Sequence, residues 1–523
     1  MALENLVSCL RSGVSPDFPA TADTLAYAQE LDSQDALRHL RDEFYLPTKA
    51  SLKKRVLNGS MPNAGPSSIL PTPQQSHNPS PDASRINHPK STITTNGFNN
   101  SKSSSKAEDN ETGIYFVGNS LGAQAKAVQD HLSVYLETWA SIGVNGHFVS
   151  LDNSPLTPWQ HLAEDCAKKM ADIAGSSPGE IVVMNSLTVN LHLMLASFYK
   201  PSGKRHKIIL EWKPFPSDYY VAESQITWHG LDPASSMILV EPDNGSLIST
   251  EKILCTIDQH ADETALILLP GIQYYSGQLF DISRITAHAR ARGITVGWDL
   301  AHAVGNVELY LHDWGVDFAC WCTYKYLNAG PGAIAAAFVH ERHGHVQWKG
   351  DDQDPRPAFH PRLTGWYGGD IRTRFNMDNK FVPTAGAGGF QVSNPSAVDL
   401  ASLSAALSIF NKTNMRELRS KALALTAYTE YLLDRILAES KDEIPLFEII
   451  TPRDPAQRGT QLSVLLRDGL LDNIMVALEN NGVLCDKRKP NVIRIAPVPL
   501  YSRFEDVWKF MQIFGASLNS DVQ

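Results

Sequence analysis

Lys325 lies between two tyrosines in the stretch CTYKYLNAGPGA, Cys322 to Ala333, straight after an apolar run and just before a glycine-rich turn. A lysine held there away from water can act as a nucleophilic amine or as a base. It also reads as an ordinary solvated strand-end residue. Other polar groups stand at the ends of apolar runs. Ser186 and Thr188 follow EIVVMN, where the N–H groups of a helix start form a phosphate cradle. Phe215, Ser217 and Asp218 follow KIILEW and offer an aromatic face and an acid to a planar heterocycle; the same residues also read as a proline-bounded turn with an Asp cap. Asp299 ends ITVGWD, with His302 close behind. A carboxylate ending a buried strand is costly without a cationic partner.

The elements that must position these groups are legible as short continuous apolar runs: EIVVMN, KIILEW, MILVEP, ALILLP, ITVGWD, FACWCT and AIAAAFV. Runs of this kind are strands covered on both faces, and with helical patterns between them they predict a mostly parallel seven-stranded α/β sheet. The segment TPWQHLAEDCAKKMADIAG predicts a helix capped by Thr157, with Pro158 at its first position and Gly175 as its stop. Beyond Pro395 a long helical stretch from Ser396 to Leu437 and strands near Leu462–Leu466 and Val492–Ile495 predict a smaller α+β lobe. The expected organisation is N-terminal helices (1–48) joining that lobe, a Ser/Asn/Pro-rich insertion (57–112), a large domain (113–394) and the C-terminal lobe (395–523). The insertion carries too little apolar surface to offset its ordering entropy and is expected to be disordered.

The chain has 523 residues, 43% of them hydrophobic, and a formal net charge of -10. That size supports a large core, and the acidic balance argues against nucleic acid as a partner. The apolar runs are strand-sized, so no membrane span is expected, and MALENLVSCLRSG shows no signal-peptide pattern. Six cysteines without metal spacing indicate no metal site, and buried reduced thiols predict a cytoplasmic location. Cys320 and Cys322 are expected on one face of a strand.

In ligand-binding open α/β sheets, the site gathers at the carboxyl ends of the strands. A pyridoxal 5'-phosphate enzyme needs a Schiff-base lysine, an acid on the pyridinium nitrogen, a helix start for the phosphate and often an aromatic over the ring. All four stand here in chain order, with Asp299 preceding Lys325 by 325 − 299 = 26 residues. The motifs YFVGNSLG, NSLTVNLH, FPSD, WDLAHAVGN, YKYLNAGPG, GWYG, FQVSNP and RIAPVPLY, spread in order from Ile114 to Phe504, together resemble the kynureninase family of fold-type I pyridoxal-phosphate enzymes.

The resemblance implies an aspartate-aminotransferase-like fold and a cytoplasmic homodimer with its active site at the subunit interface. It implies hydrolytic cleavage of L-kynurenine or 3-hydroxy-L-kynurenine to L-alanine and anthranilate or 3-hydroxyanthranilate, in tryptophan catabolism and NAD biosynthesis. Residue by residue, it places cofactor contacts at Leu187, Thr188, Phe215, Pro216, Ser217, Asp218, Asp299, His302, Tyr324 and Lys325, with Trp366 and Asn394 supplied partly across the interface. Arg494 corresponds to the family's clamp on the substrate carboxylate, while Ser120, His147 and Asn394 fall near the substrate. Lys325, Asp299 and Tyr324 are the implied catalytic groups. Where family members often carry serine in a strand-end Ser-Gly, this chain has Pro270, which offers neither hydroxyl nor N–H.

Rival readings are a cysteine desulfurase or an aminotransferase on the same fold, or a non-catalytic protein. A desulfurase usually has His directly before the Schiff-base lysine, where this chain has Tyr324.

Overall fold

The computed structural model describes residues 2–57, 61–62, 111–243, 245–350, 356–440 and 444–520. Most of the 57–112 insertion lies outside the described residues. Its far end does not: Thr112 bridges to Thr48, and Glu111 pairs with Lys49 and Lys509.

The seven apolar runs form one sheet. In chain order its strands are β1 (Ile181–Val183), β2 (Lys207–Glu211), β3 (Met237–Val240), β4 (Thr264–Pro270), β5 (Thr295–Asp299), β6 (Phe318–Trp321) and β7 (Ala336–Val339). The spatial order is β1-β7-β6-β5-β4-β2-β3. All pairings are parallel except those of β7, which runs antiparallel to both β1 and β6. Both faces are covered, as the uninterrupted apolar sequence requires. On one side Trp298 and Trp321 pack with Met170 and Leu407; on the other Leu210, Phe318 and Cys320 pack with Leu191 and Val221. Cys322 falls just past the end of β6, and all six cysteines are free.

The helix expected from Thr157 starts later, at Leu162, and runs to Ala174. Thr157 cannot cap it, because its hydroxyl is buried without a partner. The Trp159 N–H donates instead to the Gly146 carbonyl (3.0 Å), and its ring stands edge-on to His147, so residues 159–161 form a turn ahead of the helix. The predicted stop holds: Gly175 is left-handed at φ 60°, and a Cβ there would run into the backbone of Leu309.

The C-terminal sheet is antiparallel, in the order β8-β9-β11-β10, where β8 is Phe447–Ile449, β9 Leu462–Leu466, β10 Asp486–Arg488 and β11 Val492–Ile495. Its core combines Ile474, Phe510 and Phe514 with Leu6 and Leu31 from the N-terminal helices. The long helical stretch is two helices, Ala397–Phe410 and Met415–Glu439, separated at 411–414, where Asn414 caps the second through Glu417 N–H. The first packs with the large-sheet core through Leu400, Leu403 and Leu407, and the second mostly with the C-terminal sheet. No helix among the described residues is long and apolar enough to cross a membrane.

Candidate active site

At the carboxyl edge of the large sheet, Asp299 ends β5 in register with Pro270 of β4 and Cys320 of β6. A cavity of about 150 Å³ opens there, lined by Thr188, Phe215, Asp218, Asp299, His302 and Lys325. Leu187, Ser217, Pro270 and Tyr324 also line it. Two helices begin at this cavity, Leu187–Phe198 and Pro216–Trp228, and neither N-terminus is capped by a side chain. Pro216 is the first residue of the second helix and does not line the cavity. Two uncapped helix starts offer free N–H groups and positive dipole ends to an anion.

Lys325 sits on the turn after β6. Thr323 fixes that turn by donating from its hydroxyl to the Ile334 carbonyl (2.6 Å), and Asn328 follows in a left-handed conformation at φ 60°. Gly122 donates its N–H to the Tyr324 carbonyl (2.8 Å) from the opposite side. The Lys325 amine is thereby buried, 3.1 Å from His302 Nε2 and 5.7 Å from the centre of the Phe215 ring. Burial, with the positive charges of Lys325, Arg494 and Arg488, holds the His302 pKa well below its ordinary value. His302 is therefore neutral and accepts from Lys325 at Nε2, which assigns its proton to Nδ1. That atom is buried and has no partner.

Asp218 and Asp299 are both buried and hydrogen-bond to one another. Burial pushes the Asp218 pKa far up, and the charge of Asp299 adds to the effect. Asp299 is also raised by burial, against the opposing pull of Lys325 and of the Ala301 N–H that donates to it (2.8 Å). Asp218 Oδ1 is left without a partner. The Tyr324 hydroxyl is pushed up by burial and by neighbouring Cys322.

Arg494 on β11 comes from the other lobe and is 1% exposed. It does not itself line the cavity; it touches Tyr274, which does, by donating from Nη1 to the Tyr274 carbonyl (2.9 Å). Arg494 Nη2 donates to Ser120 Oγ (2.9 Å) and pairs with Asp486. Ser120 is delivered by the 114–122 segment: Val117 bridges to Ala496, Asn119 donates to Gln461 (2.8 Å), and Gly122 ends it at the lysine turn.

Three expected residues stand apart from this cavity. Trp366 is 49% exposed and packs on Tyr367 and Phe375, Asn394 is exposed, and His147 is half-buried against Trp159. Tyr274, Asp486 and Arg488 were missed by the sequence reading. The charged run DKRK, the turn-forming Pro490 and Asn491, and the apolar VIRI that follows are a hairpin pattern that could have revealed the last two.

Residues 418–514 match the family model of the kynureninase C-terminal domain. A Neurospora crassa protein named kynureninase 1 is 62% identical, with 98% of each chain covered. The chain belongs to the kynureninase family. The Pyricularia oryzae kynureninase is 57% identical, covering 94% of this chain and 95% of its own. Among solved structures, the apo cysteine desulfurase of Thermococcus onnurineus NA1 superposes with a TM-score of 0.61 over 78% of this chain and 95% of its own, at 16% identity. A C-DES variant with glycine covalently linked to its PLP cofactor gives 0.60 at 16% identity, over 77% and 96%. At that identity the likeness is one of fold, and it places the kynureninase-family chain in fold type I.

Proposed function

We propose that this chain hydrolyses the Cβ–Cγ bond of L-kynurenine and 3-hydroxy-L-kynurenine, releasing L-alanine and anthranilate or 3-hydroxyanthranilate, with pyridoxal 5'-phosphate as cofactor. The observation that carries this reading is the buried amine of Lys325 in one cavity with a buried acid pair and two uncapped helix starts. The cavity fits the cofactor on its own chemistry. His302 Nδ1 and Asp218 Oδ1 are buried polar atoms without partners, and each such atom is costly unless a ligand satisfies it.

Leu187, Thr188 and Ser217 would hold the phosphate through backbone N–H groups, Phe215 would cover the ring, and Asp299 would face its nitrogen. When bound, the cofactor supplies an electron sink for the substrate's α-carbon. Lys325 takes the α-proton, and His302 orients its amine by accepting a hydrogen bond. Arg494 pairs with the α-carboxylate, for which a planar guanidinium is suited. One water adds to the side-chain ketone; the Cβ–Cγ bond breaks, the aryl carboxylate leaves, and the β-carbon gains a proton. Tyr324, its hydroxyl kept protonated by burial, is the group we assign to proton transfer at the substrate.

A homodimer with the site at its interface belongs to the same reading. Trp366 and Asn394 are exposed in this chain and away from its own cavity, so each would complete a partner's site. Trp366, Phe375 and Phe148 form a half-exposed aromatic group suited to burial there. Six free thiols support a cytoplasmic location.

Product analysis tests the assignment. Incubation with each substrate and no keto acid should give alanine and the matching anthranilate in equal amounts. Alanine formation that requires an added keto acid would instead indicate an aminotransferase.

A further inference from the structure

Beside the cavity, next to Arg494, stands one acid that the reaction above does not use. Asp486 on β10 stands directly across from Arg494 on β11 in the antiparallel register. One of its oxygens, Oδ2, receives Arg494 Nη2, the Ser120 hydroxyl and Arg488 Nη2, the last at 3.1 Å. Arg494 is therefore pinned at two nitrogens, by Asp486 and Ser120 on Nη2 and by the Tyr274 carbonyl on Nη1. Its Nε is buried and unpartnered. A guanidinium is planar, so fixing two nitrogens fixes where the third donor points.

We propose that Asp486 is the positioning residue for Arg494, holding the guanidinium so that its unpartnered Nε edge meets the substrate carboxylate, and that it balances the charge of Arg488. With Arg488 and Arg494 positive and Asp486 negative, this end of the site carries one net positive charge, matched to a single carboxylate. The inference rests on the reading that Arg494 binds that carboxylate.

The test uses the full-length, cofactor-loaded enzyme. Asp486→Asn keeps the size of the side chain but loses its charge, and should raise KM for L-kynurenine about tenfold or more, because losing the charge-assisted bond that orients Arg494 outweighs the attraction of the added net positive charge. kcat should stay close to wild type. The inhibition constant of the decarboxylated amine analogue of the substrate should not move, because it never meets Arg494. A lower kcat with KM unmoved, or equal weakening of substrate and amine, would mean that Asp486 is merely structural and would overturn the proposal. Arg494→Ala separates the two readings. If it leaves KM for kynurenine unchanged, the carboxylate assignment itself fails. If it raises KM and Asp486→Asn does not, only the positioning role fails. Arg488→Gln, at a half-exposed position, should raise KM several-fold by cancelling the net charge; an unchanged KM there removes the charge-balancing role.

Discussion

Asp218 and Asp299 share a hydrogen bond in a buried position, and a hydrogen bond between two carboxyl groups requires a proton held between them. Both pKa values are raised, Asp218 further, so the pair carries one charge where two would repel. The two acids come from different elements, β5 and the first turn of helix Pro216–Trp228. Lys325 pulls both back down, as the largest opposing influence on Asp299 and only as the smallest of those acting on Asp218.

That asymmetry predicts unequal mutants. Asp299→Asn should still bind pyridoxal phosphate, through the helix starts, but turn over at least about a hundredfold more slowly, the loss of roughly 3 kcal/mol at the transition state. Asp218→Asn should do less, because an amide can donate to Asp299 as the shared proton does. Steady-state kinetics on cofactor-saturated proteins decide the matter; near wild-type kcat in Asp299→Asn would shift the role to Asp218.

Lys325→Ala should abolish turnover while leaving the fold intact, since among the described residues the lysine amine hydrogen-bonds only to His302 and its neighbours keep their own bonds. Borohydride treatment followed by peptide mass analysis should find the cofactor on the Lys325 peptide of the wild type and on no peptide of the variant. Cofactor trapped on another lysine would identify a different attachment site.

Much of this site was legible because its residues sit at strand ends. A continuous apolar run announces its own end, so Asp299 and Lys325 could be placed at the edge of the sheet from sequence alone. Arg494 and Ser120 could not be joined that way. Their meeting depends on the bridge between Val117 and Ala496, a pairing across 379 positions (496 − 117) that no local pattern encodes. Periodicity likewise overran the start of helix Leu162–Ala174, because Trp159 is fixed by tertiary contacts with Gly146 and His147. The shared proton of Asp218 and Asp299 also lay beyond sequence, since it follows from their separation in space.

Gly122 is a position where a methyl group should matter. A Cβ there would run into the Lys325 carbonyl and come within 2.8 Å of Asn328 Cα, both backbone atoms of the catalytic turn. Overpacking against backbone costs about 1–3 kcal/mol. Gly122→Ala should lower Tm and, by displacing the turn, reduce kcat. A variant with unchanged Tm and kcat would show that the turn yields freely.

Glu211, at the end of β2, gives the fold a pH dependence of its own. It is 1% exposed, accepts hydrogen bonds from the Lys213 N–H (2.7 Å) and Gln273 Nε2 (3.2 Å), and has its pKa raised by burial to about 7. For an acid the raised value means that the folded state holds the proton more tightly than the unfolded chain. The stabilisation is complete below the unfolded value, near 4.5, and is lost as pH rises through about 7. Glu211→Gln removes the ionisation while keeping an acceptor oxygen for both donors. Above pH 7 the variant should therefore gain on wild type, by up to roughly 3 kcal/mol from the linkage. Below about pH 5 the difference should flatten to a constant. Tm measured from pH 4 to 9 on both cofactor-free proteins checks this. Parallel curves for the two would mean that Glu211 titrates alike in the folded and unfolded states.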